Sequence, residues 1–281
     1  MNRAAGKRTA TPEDVPRVRA ILESGGFTVE AIETAQPRPT AADLARRAAA
    51  EGYGACIVAG GDGTVAAAGA ELLDTPVVLG ILPFGSFMNI ARGLELPLRP
   101  VDAAAVIARR RIRRVDVGEV GGKLFFETAG IGLDAELFGA ARHAERGSWR
   151  RALRRVMRWA TRTTHRVRID VDGASHRHRA MQVLVLNCPY YAWGIPLLPR
   201  ASMEDGRLDV AVFPRMGRGA LLASLFTVWR GRPLPGRPVF YQGTDITISS
   251  DEPIAVHADG ALAGGLPARL RCRKGALAVY G

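Results

Sequence analysis

The feature that most constrains this chain is a short apolar run, Ala55 to Ala59, that enters Gly60-Gly61-Asp62-Gly63-Thr64 and then an alanine-rich stretch ending at Leu73. Such a run has the form of a strand buried on both faces, the habit of parallel sheets. The stretch after it reads as a helix over Thr64–Leu73. The same order recurs at once. Pro76 to Leu82 is a second buried strand, Pro83-Phe84-Gly85-Ser86 a turn, and Met88 to Leu94 a short helix. Upstream, Val15, Val18, Ile21 and Leu22 give Pro12–Ser24 helical spacing, and Gly25-Gly26 ends it. Phe27–Ile32 alternates as a strand, and Thr40–Ala50 reads as a second helix. Alternation of this kind predicts an α/β domain, a doubly wound sheet with helices on both faces.

After Arg114 the pattern changes. Short strand-like segments follow at Val115–Val120, Leu124–Thr128, Val167–Val171, Gln182–Leu186, Leu208–Phe213, Asp245–Ser249, Ile254–His257 and Ala268–Cys272. They are separated by turns such as Gly121-Gly122 and Asp172-Gly173, which is the signature of an antiparallel sandwich. Two helical insertions interrupt them, 133–164 and 219–229. The reading is therefore α/β plus all-β, with a nucleotide-binding domain over residues 1–115 and a β-sandwich domain over residues 116–281. A chain of 281 residues can bury a core in each.

The two glycine-bearing turns are where chemistry would sit. Adjacent βα turns of a doubly wound sheet face one crevice at the carboxyl ends of the strands. Gly60, Gly61, Gly63 and Gly85 let backbone amides approach an anion with no Cβ in the way, and a helix N-terminus adds positive potential. Thr64 and Ser86 carry hydroxyls there. Asn89 suits a nucleotide or a metal-bound water. Asp62 is the unusual member: an acid beside a phosphate cradle fits a Mg2+ site or a group that orients an attacking atom. The plain alternative is a tight turn with Asp62 as N-cap.

Charge narrows the partners. The net charge is +12, but residues 1–100 carry −1, residues 101–180 carry +9 and residues 181–281 carry +4. The excess is thus local, and an anionic partner should meet it locally. Its densest part is Arg142 to Arg168. There Trp149, Leu153, Val156, Met157 and Ala160 recur at helical spacing, and Arg150, Arg151, Arg154 and Arg155 crowd the polar side. An arginine-rich amphipathic helix suits an anionic membrane surface, and equally a solvated helix packed on the sandwich. Nucleic acid is disfavoured, since neither aromatic strand motifs nor zinc-finger spacing accompany the arginines. Uncharged stretches fall short of a membrane span. The widely spaced Cys56, Cys188 and Cys272 argue against a disulfide framework or zinc site and favour a reducing cytoplasm.

Taken in order, Gly60–Thr64, the strand after it and the Pro83-to-Arg92 turn resemble the diacylglycerol kinase catalytic domain family of lipid kinases. The resemblance extends through Val115-Asp116-Val117-Gly118, Gly130-Ile131-Gly132-Leu133-Asp134-Ala135, the segment from Pro199 to Val210 and Ala258-Asp259-Gly260-Ala261. GGDGT alone is shared with NAD kinases. The resemblance implies an ATP:lipid phosphotransferase with a diacylglycerol-like acceptor, working in the cytoplasm and peripherally on a membrane. It places ATP in the cleft between the domains, Thr34 and Ser86 near the nucleotide, and Asp62 near the phosphates and Mg2+. It also implies a second Mg2+ loop formed by Asp205 with the carbonyls of Ser202 and Arg207.

The departures from the family pattern also carry expectations. Ala66-Ala67 stands where the family has Asn-Glu, and its PxGTxN asparagine falls on Met88. The glutamate of its late Asp-Gly-Glu, the family's general base, is Ala261 here. Asp259 or His257 is the expected stand-in. A catalytically impaired relative that binds nucleotide or lipid without transfer is the alternative reading, and an NAD kinase the third. Asn2 to Lys7 resembles the family's first phosphate loop with Arg3 in its proline position. The strand that should precede it is absent, so either the start is misassigned or the sheet lacks its first strand.

Overall fold

The computed structural model describes residues 14–34, 39–132, 164–191, 194–214 and 238–281. The segments 133–163 and 215–237 lie outside them, and with them the expected basic helix bearing Trp149, Arg150, Arg151, Arg154 and Arg155.

The N-terminal domain is layered as the alternation predicts. β1 (Ala55–Gly60) and β2 (Val78–Pro83) pair in parallel from Ala55↔Val78 to Gly60↔Pro83. β2 is buried along its whole length, because both of its faces are covered. Val78 and Leu82 pack with α1 (Asp14–Ser24) and α5 (Pro100–Ala108) through Val18, Leu22, Ala104 and Ile107. Leu79 and Ile81 pack with α2 (Ala41–Ala50) and α3 (Asp62–Leu72) through Ala45, Val65, Ala68 and Leu72. The two sets alternate along the strand, as side chains must. α2 starts with a capping box in which Thr40 and Asp43 satisfy each other's backbone amides. α5 falls in a stretch with no assigned element in the sequence reading; Pro100 opens its first turn.

One N-terminal expectation needs correction. Residues 27–34 run extended but form no strand ladder among the described residues. A cleft of about 420 Å³, lined by Phe27, Val29 and Ile32 on one side and by Ala55, Ile57 and Ala59 on the other, separates them from β1. Phe27 is held by an edge contact with Tyr280, ring centroids 5.8 Å apart.

The C-terminal domain is antiparallel. β3 (Ile112–Val120), β4 (Lys123–Phe125), β5 (Thr128–Ile131), β6 (His165–Val171) and β7 (Ala174–Leu186) come first. They are followed by the short β8 (Tyr190–Tyr191) and β9 (Ile195–Pro196), then β10 (Leu208–Pro214), β11 (Val239–Gly243), β12 (Asp245–Ser250), β13 (Ala255–Ala258), β14 (Ala261–Gly265) and β15 (Ala268–Tyr280). The inward residues of nine of these strands (Val120, Phe125, Ala129, Ile131, Val167, Ile169, Val183, Val185, Val210, Ile246, Ile248, Val256 and Leu270 among them) form one core.

Two C-terminal elements differ from expectation for visible reasons. The segment Leu124–Thr128 is not one strand. It breaks at Phe126 and Glu127, whose amides, with that of Thr128, are taken by the Asp259 carboxylate instead of a ladder partner. β15 runs on to Tyr280 where a strand ending at Cys272 was expected. Gly275 sits at φ +55° inside a register shift, which disguises the continuity. Past that shift β15 enters the first domain. Val279 pairs with Leu79 of β2, while Ala278 and Tyr280 join the α1–α5 core.

Candidate functional site

The two glycine turns meet. A Cβ on Gly85 would lie 2.5 Å from the Cα of Gly61, so the backbones touch and only glycine fits. The amide of Phe84 donates to the carbonyl of Gly60 at 3.1 Å, a second tie between them. Gly60 is needed for a different reason: a Cβ there would sit 2.7 Å from that of Thr64. Around Gly63, by contrast, a Cβ would meet nothing within 4 Å. Gly63 and Ser86 are exposed, and Thr64 and Thr34 are half-exposed.

Asp62 is not the N-cap of α3. Gly61 occupies that position, without a side-chain bond, and Asp62 is the first helical residue. Its carboxylate instead reaches across to α4 (Asn89–Gly93), accepting the Ile90 amide at 2.9 Å and interacting with those of Asn89 and Met88. Asp62 thus caps the neighbouring turn and locks the two glycine turns together. Met88, in the family's asparagine position, adopts φ +56°, a left-handed conformation that asparagine tolerates better than methionine. Its sulfur accepts the Gly85 amide at 3.1 Å.

Asn89 does not face the open surface as expected. It is 2% exposed and its side-chain nitrogen donates to Glu127 Oε2 at 2.6 Å. Glu127 is the residue that sequence reasoning missed. It stands between β4 and β5, half-buried, near Asp62 and Asp259. The signal was available in Phe125-Phe126-Glu127-Thr128: an acid inside an apolar run is the informative kind of exception.

Three carboxyl groups therefore share one place. Burial raises each above its usual range, and repulsion from neighbouring acids adds to this for Glu127 and Asp259. Asp259 is pushed up to about 6, chiefly by burial and partly by Asp62, against three backbone amides that favour its charge. Those amides, from Phe126, Glu127 and Thr128 at 2.7 to 3.0 Å, occupy both of its oxygens. His257 pairs with Gly130 across the ladder, on the strand face opposite Val256 and Ala258. Its Nδ1 has no hydrogen-bond partner, and burial lowers its pKa, holding it neutral. Ala261 starts β14 and is exposed.

Asp205 lies apart, in the loop before β10. Its oxygens accept the Arg207 amide and the Gln242 side chain, each at 2.9 Å. The loop is anchored by buried Asp116, whose carboxylate takes the amides of Gly206 and Gly275 at 2.6 and 2.7 Å. Among the described residues no three His, Cys, Asp or Glu side chains gather as a metal cage. One exposed carboxylate with backbone carbonyls is nevertheless a donor set that suits a hard cation such as Mg2+, which keeps several waters.

Comparison with known proteins agrees along the chain. Residues 1–120 match the diacylglycerol kinase catalytic domain, and residues 128–281 match the YegS C-terminal NAD kinase beta sandwich-like domain. The chain is 26% identical to a diacylglycerol kinase of Staphylococcus carnosus over 95% of its own length and 89% of the relative's. It is 27% identical to a YegS-like lipid kinase of Pseudomonas aeruginosa over 74% of its length and 70% of the relative's. A crystal structure of a diacylglycerol kinase from Bacillus anthracis shares the fold, with a TM-score of 0.77 at 23% identity, covering 99% of this chain and 94% of that one.

Proposed function

Since the chain belongs to the diacylglycerol kinase family and carries that family's YegS-type C-terminal sandwich, we propose that it is an ATP-dependent lipid kinase acting on the hydroxyl of a diacylglycerol-like lipid. The observation that carries this reading is the contact of the two glycine turns, Gly61 against Gly85, with Asp62 tying one to the other. The paired turns leave open space at Gly63, where a phosphate chain can approach backbone amides.

In this reading the amides of Gly61 and Gly63 and the hydroxyls of Thr64 and Ser86 hold the phosphates of ATP, with Thr34 toward the nucleoside. Asp62 keeps both turns in register, which is what a reaction governed by positioning needs. Mg2+ would be held at the loop of Asp205 with the carbonyls of Ser202 and Arg207, and when bound it supplies charge neutralisation. Lipid substrates lie in membranes, so a docking surface is part of the proposal. Arg166 faces Arg179, and Arg168 faces Arg177, directly across β6 and β7, and all four are exposed. Like charges in opposed pairs destabilise a sheet unless an anion answers them. Among the described residues only Arg168 has a carboxylate in reach, Asp170 at 3.2 Å. An anionic lipid surface would supply the missing charge.

Ala261 supports a second reading, in which the chain binds nucleotide or lipid without transfer. The test is radiolabelled phosphate transfer from ATP to a lipid extract, with NAD+ as a separate acceptor. Labelled lipid supports the kinase. ATP binding with no transfer, together with transfer by Ala261→Glu, supports the second reading. Labelled NADP+ alone overturns both.

A further inference from the structure

We propose that Glu127 takes the proton of the lipid hydroxyl in this site, an inference that rests on the kinase reading. Three carboxyl groups converge beneath the paired turns, and their hydrogen bonds divide the work among them. Asp62 is committed to the N-terminal turn of α4. Asp259 is committed through both oxygens to the amides of residues 126–128, and in doing so it fixes the backbone that carries Glu127. It is a positioning residue. Glu127 accepts a single bond from Asn89 Nδ2 to Oε2, and no backbone amide ties its other oxygen among the described contacts. The residue as a whole is half-buried rather than closed off. Asn89 is itself buried, 2% exposed, and its backbone carbonyl accepts from Cys188 Sγ at 3.3 Å. One oxygen of the carboxylate is thus oriented by Asn89, and in this proposal the other receives the hydroxyl proton. Burial, with the charges of Asp62 and Asp259 nearby, raises its pKa above the usual carboxylate range.

The step balances without another reactant. The acceptor oxygen forms a bond to the γ-phosphorus as the bond from that phosphorus to the bridging oxygen breaks. The electron pair leaves on ADP. The hydroxyl proton passes to the Glu127 carboxylate and then to water.

Two variants separate proton transfer from shape. Glu127→Gln keeps the length of the side chain and an oxygen for Asn89, but cannot take the proton. Glu127→Asp keeps the carboxylate and sacrifices length. The measurement is kcat for phosphate transfer from ATP to diacylglycerol in vesicles, with ATP affinity and melting temperature measured alongside. Glu127→Gln is expected to lose about 10²-fold or more in kcat at unchanged ATP affinity. Glu127→Asp is expected to stay at least about tenfold above it. A Gln variant within a few-fold of the parent, or an Asp variant as poor as the Gln variant, overturns the assignment and leaves the kinase reading standing. A parent chain that binds ATP but transfers nothing sinks both.

Discussion

At the scale of single residues, the site shows what spacing can and cannot convey. Gly60 to Thr64 and Gly85 announce themselves, because glycine in a strand-to-helix turn has few other uses. The partner of Asp62 does not: its carboxylate answers α4, 28 residues on, and no local pattern records that. Glu127 shows locally only as an acid inside an apolar run; its company, from α3, α4 and the turn after β13, is not written in that run. Asp209 gives a residue-scale test of the same physics. It is 2% exposed, 3.9 Å from Arg200, and burial pushes it up to about 6. A raised folded-state pKa means the native chain holds the proton more tightly than the unfolded one. Its stabilising contribution is thus full below about pH 4 and lost as the pH rises through about 6. Asp209→Asn does not titrate. Urea denaturation should therefore show the asparagine variant gaining on the parent between pH 4 and pH 7; a variant that loses ground to the parent as the pH rises would refute this.

At the scale of elements, α1 to α4, β1, β2 and most sandwich strands were legible because each has a clean period and a stop signal. The failures share a cause in tertiary structure. Residues 27–34 have strand composition but no ladder among the described residues, β4 and β5 are parted by an acid from a distant turn, and β15 hides its length behind Gly275. The paired turns make a sharp prediction. Gly85→Ala drives a methyl group into Gly61 and should cost about 1–3 kcal/mol, visible as a lower melting temperature. Gly63→Ala meets nothing in the protein, so its melting temperature should hold while ATP affinity falls. Equal melting temperatures for the two variants would show that the turns are not in contact.

At the scale of the molecule, the charge of +12 resolves into a near-neutral domain with the glycine turns and a basic sandwich, joined by β15. No helix among the described residues is long and apolar enough to cross a membrane. Replacing Arg166, Arg168, Arg177 and Arg179 by glutamine should weaken co-sedimentation with anionic vesicles, by up to about 1 kcal/mol per arginine, and leave neutral vesicles unaffected. Unchanged binding would exclude this hairpin as the docking face. The central claim is that the turns locked by Asp62 are where phosphate moves. Transfer of labelled phosphate from ATP to diacylglycerol, compared between the parent chain and Asp62→Ala, tests it most directly. The account predicts transfer by the parent and a loss of about 10²-fold or more in kcat when Asp62 no longer holds α4 to the first turn. Transfer that survives Asp62→Ala undiminished would contradict it.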